Sequence, residues 1–189
     1  MINALRALSD AGVALFWMAG NRDFLVGKGF AEAAGLTLLS EPHVATIGGQ
    51  LFALVHGDAE CTLDISYMEF RAMVRGKAWQ DQFLAMPLAQ RKAIIAGLRE
   101  GSRAAHTRKS DEIMDVTPGA IEAVFEATGA DVLIHGHTHR PALHLHGERR
   151  RYVLPDWETD AQPPRGGWIA VDDHGSVTRH GIGGLSDLS

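Results

Sequence analysis

Three histidines, His135, His137 and His139, stand at alternate positions directly after the apolar run Ala130-Asp131-Val132-Leu133, in the segment Ile134-His135-Gly136-His137-Thr138-His139-Arg140-Pro141. Side chains two apart on extended backbone point the same way, so continued extension puts all three imidazoles on one side. Neutral imidazole is a common ligand for transition metals. Two earlier turns carry related chemistry: Gly20-Asn21-Arg22-Asp23 after Val13–Met18, and His56-Gly57-Asp58 after Leu51–Val55. The amide oxygen of Asn21 suits a divalent ion such as Mn²⁺ or Zn²⁺ beside imidazoles. The Arg22 guanidinium suits a phosphate oxygen. Metal-assisted phosphoester hydrolysis needs that set, because the ion acidifies a bound water and the cation supports charge developing on phosphate. Singly, each turn is ordinary: Asn21 or Asp23 would cap a helix, and a lone His56 would be a satisfied, partly buried side chain. Three in order, each after an apolar run, are much more specific.

The elements that must position these turns are legible in the hydrophobic pattern. Residues 2–10 read as an amphipathic helix with Leu5 and Leu8 on one face. Val13–Met18, Leu51–Val55 and Ala130–Ile134 read as buried strands. Phe24–Ala34 reads as a helix closed by Gly35, and Leu36–Leu39 and Val44–Ile47 as short strands with a turn at Gly48-Gly49. A helical stretch from about Ser66 to Asp115 is broken by Gly76 and Pro87, and Thr117-Pro118 opens the next helix. Two hairpins complete the pattern: Pro141–Leu145 with Tyr152–Leu154, then Trp168–Val171 with Val177–His180. The tail from Gly183 reads as frayed. Parallel buried strands end at one edge of a sheet, so an α/β sandwich would bring the three polar turns together.

Bulk properties narrow the class. The 189 residues suffice for one domain with a real core. A net charge of −5 argues against a general nucleic-acid binder. Cys61 is the single cysteine, which excludes an intrachain disulfide and a thiolate metal cluster. No apolar stretch is long enough to span a bilayer. The residues between His56 and His135 interleave Ile65, Met68, Phe70, Val74, Trp79, Phe83, Leu84 and Ile94 with Arg71, Arg75, Arg91, Lys92, Arg99 and Arg103. On its own this pattern favours core-facing amphipathic helices with a solvated basic face. The run Arg149-Arg150-Arg151 reads as a solvated hairpin.

The three turns resemble the later motifs of the calcineurin-like metallophosphoesterases. The match is closest to the UDP-2,3-diacylglucosamine hydrolases of bacterial lipid A synthesis, on Asn21-Arg22-Asp23-Phe24-Leu25, the stretch after His56-Gly57-Asp58, Ile113-Met114-Asp115-Val116 and Leu133–Pro141. It covers about residues 4 to 155. The resemblance implies a metallophosphoesterase α/β sandwich over residues 1–189, with a helical lid at about 62–115. It also implies manganese-dependent attack of water on the α-phosphate of UDP-2,3-diacylglucosamine, giving 2,3-diacylglucosamine 1-phosphate and UMP. By the same resemblance Asn21, His56 and His137 bind one of two Mn²⁺ ions and His139 the other. Asn21, Arg22, Asp64, Ser102, His106, Lys109 and His137 meet the substrate, with Asn21, Arg22 and His137 catalytic. The lid's apolar face would hold acyl chains. The implied location is the cytoplasmic face of the inner membrane, as a peripheral protein with no obligate protein partner.

The family pattern also opens with an Asp-x-His strand and a Gly-Asp turn, and neither precedes Gly20. The expectation is a sandwich lacking those N-terminal strands, with ligands mainly for one ion and no evident carboxylate bridging two. Asp23 and Asp58 read as turn groups that orient ligands. Two alternatives stand beside the hydrolase: a degenerate domain that binds nucleotide or lipid without turnover, and a phosphodiesterase of another substrate.

Overall fold

A computed structural model describes residues 1–106 and 113–182, without the side chains of 102–106. The tail from Gly183 lies outside the described residues. The chain forms two compact units, Met1–Asp58 with Pro118–Ser189, and Ala59–Thr117.

In the first unit, α1 (Ile2–Asp10) leads to β1 (Leu15–Met18), α2 (Lys28–Ala34) and β2 (Leu36–Leu39). β1 and β2 pair in parallel as a two-stranded sheet of their own. On α1, Leu5 is half-buried and Leu8 exposed. α2 starts four residues later than the pattern predicts. The Asp23 carboxylate takes the Gly20 N–H (2.7 Å) and the Trp17 indole N–H (2.8 Å), which holds residues 21–25 in turns.

β3 (His43–Ile47) and β4 (Gln50–Val55) form a hairpin. After the second unit come α6 (Pro118–Thr128), β5 (Val132–His135), β6 (Leu143–His146), β7 (Arg149–Val153) and the hairpin β8 (Gly167–Val171) and β9 (Val177–Gly181). The main sheet runs β3-β4-β5-β7-β6. Its three central strands β4, β5 and β7 are parallel, with Phe52 opposite Val132 and His135 opposite Val153. All four residues of β5 are buried, as a strand covered on both faces requires. One face carries Phe52, Val132, Ile134 and Tyr152, packed against Ile169, Val171 and Val177 of the last hairpin.

β7 corrects the reading of the arginine run. It is an inner strand as well as a hairpin arm, and each arginine has a partner. Arg149 pairs with Glu122 and lies over the Phe125 ring of α6, 4.6 Å from its centroid. Arg150 donates to Gln50, and buried Arg151 reaches His135 at 2.9 Å. Strand pairing distant in sequence buries Arg151 and gives Arg149 and Arg150 partners, where local composition alone would leave all three in solvent.

In the second unit, α3 (Ile65–Arg75), α4 (Lys77–Ala85) and α5 (Leu88–His106) are separated at Gly76 and Pro87, as the breaker residues predict. Val74, Phe83 and Cys61 are buried, and Trp79 stacks on Phe83 at 4.8 Å. Leu63, Ile65, Met73, Leu84, Leu88 and Ile94 are exposed, so the apolar stripe does not all turn inward. No helix among the described residues is long and apolar enough to cross a membrane.

Candidate metal and phosphate site

β4 and β5 end at one edge of the main sheet, and the turn after β1 meets them there although β1 belongs to another sheet. Two glycines permit the approach. A Cβ on Gly20 would lie 2.5 Å from Cε1 of His56. Gly57 has φ +109°, and a Cβ there would lie 2.9 Å from Nδ1 of His135. The backbone is tied across: Gly136 N–H donates to the His56 carbonyl at 3.0 Å, and His56 N–H donates to the Glu41 carboxylate.

The side chains that converge are Asn21, His56 and His137. Asn21 Oδ1 lies 3.3 Å from His56 Nε2, and the His56 and His137 rings are 5.2 Å apart, centroid to centroid. Burial holds the His137 pKa down at about 4, helped by the neighbouring charge of His56 and, less strongly, His139 and Arg22; buried Asp58 pulls it upward. At neutral pH His137 is therefore a neutral imidazole with a lone pair to give. Two imidazoles and an amide oxygen fit one borderline divalent ion with positions left for water or phosphate. Among the described residues, no group of three His, Cys, Asp and Glu side chains could hold an ion, and the set above counts an amide as its third donor.

The extended run of three histidines does not form. β5 ends at His135, and His137 (φ +65°) and His139 (φ +56°) both take the left-handed backbone that only glycine adopts readily. His135 stays in the sheet, fully buried against Arg151. His139 turns outward, with its side chain 63% exposed and Nδ1 3.9 Å from Asp156 Oδ2. Strained non-glycine backbone of this kind persists where the surroundings over-determine it, and it gathers at functional sites.

The chain matches no protein-family model. It is 52% identical over 177 residues to a UDP-2,3-diacylglucosamine hydrolase of Chromohalobacter salexigens, covering 92% of this chain and 70% of that protein. This chain belongs to the UDP-2,3-diacylglucosamine hydrolase family. Family members from Bordetella parapertussis (50% identity, 82% of this chain and 62% of theirs) and Pseudomonas putida strain W619 (47%, 91% and 71%) agree. The chain thus spans between 62 and 71% of the length of these relatives. Among solved structures, a Vps29 single mutant from Entamoeba histolytica aligns over 96% of this chain and 86% of its own, at 14% identity and a TM-score of 0.39.

The remaining residues that family resemblance marks lie in different settings. Arg22 is exposed next to Asn21. Asp64, in the second unit, is buried as the N-cap of α3, accepting from Tyr67 N–H at 3.1 Å and Ser66 Oγ at 3.0 Å. Lys109 and the side chains of Ser102 and His106 lie outside the described residues. Sequence reasoning missed Asp156 and Arg165. Asp156 follows the apolar end Tyr152-Val153-Leu154 of β7, the same apolar-then-polar signature as the other strand ends, and reading that segment only as a hairpin arm hid it.

Proposed function

We propose that this chain carries the larger part of a hydrolase that cleaves the pyrophosphate bond of UDP-2,3-diacylglucosamine, yielding 2,3-diacylglucosamine 1-phosphate and UMP. The reading is carried by the meeting of Asn21, His56 and His137 at one corner in a chain 52% identical to such a hydrolase. Asn21, His56 and His137 would hold a Mn²⁺ ion, and His139 a second one. Bound there, the metal supplies an acidified water and neutralises phosphate charge.

The chain's own residues set the rest. His137, kept neutral by burial, has no proton competing for its lone pair near neutrality. Arg22 grips an α-phosphate oxygen and supports the charge that grows on it. Asp64, Ser102, His106 and Lys109 would contact the substrate. The exposed apolar residues of α3 to α5 suit acyl chains, and the basic residues between them suit anionic phospholipid. The same reading puts the protein, as a proposal, peripherally on the cytoplasmic face of the inner membrane, where it would meet the lipid part of that substrate.

The test is release of UMP from UDP-2,3-diacylglucosamine with added Mn²⁺, on this chain and on a form extended to the length of its relatives. Activity that vanishes in His137→Ala supports the reading. Silence in both forms sinks it and favours a domain that binds without turnover.

A further inference from the structure

A third parallel strand, β7, ends at the candidate site, and the segment after it carries a carboxylate to His139. β7 lies beside β5 in parallel, and the ladder runs one step past the strand, where Leu154 N–H donates to the His135 carbonyl at 2.7 Å. Asp156 therefore leaves the sheet at the same edge as Gly136–His139, two residues beyond a fixed point.

Its carboxylate is clamped. Arg165 Nε lies 3.2 Å from both Asp156 oxygens and its Nη2 2.8 Å from Oδ2, a forked guanidinium–carboxylate pair. Arg165 is placed in turn by a backbone bridge to Glu158, with bonds of 2.9 and 3.0 Å, and by pairing with the Glu158 carboxylate. The result is an anion only 13% exposed facing a ring that is 63% exposed. The carboxylate is the fixed partner and the imidazole the adjustable one. The atom facing it is Nδ1, at 3.9 Å, an ion-pair distance that a ring movement of about 1 Å would shorten to a hydrogen bond. Metal-ligating histidines commonly donate their second ring N–H to a carboxylate, which sets the tautomer and aims the ligating nitrogen.

We propose that Asp156, held by Arg165, is the positioning residue of His139: it accepts the Nδ1 proton and leaves Nε2 as the nitrogen that faces a divalent cation. This rests on the reading of His139 as a metal ligand. It gives roles to two residues that neither turn chemistry nor the arginine run anticipates. It also explains how an outward histidine on a left-handed backbone would hold a direction without being buried.

Long-range ¹H–¹⁵N spectra of the metal-free chain test this above the ordinary imidazole pKa, with His139→Gln assigning the resonance. The expected result is a predominantly Nδ1–H tautomer for His139 that shifts toward Nε2–H in Asp156→Ala. Added Mn²⁺ then supplies a second readout. Broadening of the His139 signals should need about 10–100-fold more Mn²⁺ in Asp156→Ala, with a smaller loss in Arg165→Gln, where the carboxylate remains but loses its clamp. A merely structural Asp156 would lower the unfolding midpoint yet leave the tautomer unchanged, and that result overturns the proposal. So does an Nε2–H tautomer in the unmodified chain, whatever the outcome of the UMP assay. An Asp156-dependent Nδ1–H tautomer without UMP release would retain the proposal and reject the hydrolase reading alone.

Discussion

His137 and His139 leave one turn two residues apart with the same left-handed backbone, and they enter opposite surroundings. His137 turns inward beside His56, and burial depresses its pKa to about 4. His139 turns outward, with its ring beside the Asp156–Arg165 ion pair. One imidazole is set by removing water, the other stands in water beside a largely covered carboxylate. A desolvated imidazole is selective against protons and committed to a single geometry. An exposed one keeps its freedom and needs a carboxylate to give it direction. Under the proposed function, a single tight turn would serve two ions of different exposure.

The contrast can be broken at several points. The largest effect is expected for His137→Ala, which removes one of the three donors proposed to hold the ion. Mn²⁺ retention, read by titration, should fall by more than the roughly 10–100-fold typical of losing an outer partner, and UMP release should go with it. Retention close to wild type would place the ion elsewhere.

Protonation should then separate the two histidines. The folded-state pKa of His137, about 4, lies below its ordinary 6.5, so the unfolded chain binds more protons between those values. Stability is full above pH 6.5 and is lost as pH falls toward 4. His137 contributes up to about 3 kcal/mol of that loss. Urea unfolding of the wild type and His137→Asn across this window should show the wild type losing more; parallel curves would mean that His137 is not desolvated.

Gly20→Ala should disturb His56, the histidine that follows β4, through contact alone. Its Cβ meets the His56 ring at 2.5 Å, so the turn or the ring must move, at a cost of about 1–3 kcal/mol. Metal affinity should fall in step with the thermal midpoint. A stable variant with unaltered metal binding would show that the β1 turn is not held against His56.

The third imidazole should behave as structure. Arg151→Ala exposes the buried end of the His135 contact and should cost about 1–3 kcal/mol while leaving Mn²⁺ affinity unchanged. The smallest effect belongs to Arg149→Ala, about 0–1 kcal/mol, because that ion pair sits at the surface. A large effect at Arg149 would reverse the ranking of inward and outward arginines on β7.

Much of this was legible along the chain. Continuous apolar runs announced β4 and β5, and Gly76 and Pro87 cut the helical unit where the sequence breaks it. Arg149–Arg151 were not legible, because a cation's solvation depends on what an inner strand packs against. α2 began late because Asp23 spends its carboxylate on Gly20 and Trp17 in place of a longer helix. Asp64 offers a similar lesson: its carboxylate caps α3, a role that its type allows but its position in the chain does not announce.

The order of the residues by itself determined which groups can do chemistry here: an amide, a guanidinium and several imidazoles on polar turns after apolar strands. It also put a glycine in each of those turns, while only the folded chain shows that a Cβ at Gly20 or Gly57 would meet a histidine ring. Tertiary structure decided which histidine is buried, which is aimed outward and which is held in the sheet, because those fates depend on the local bend after β5 and on the parallel neighbour β7. It alone brought Asp156 to His139, since the register between β5 and β7 joins residues that no local pattern connects.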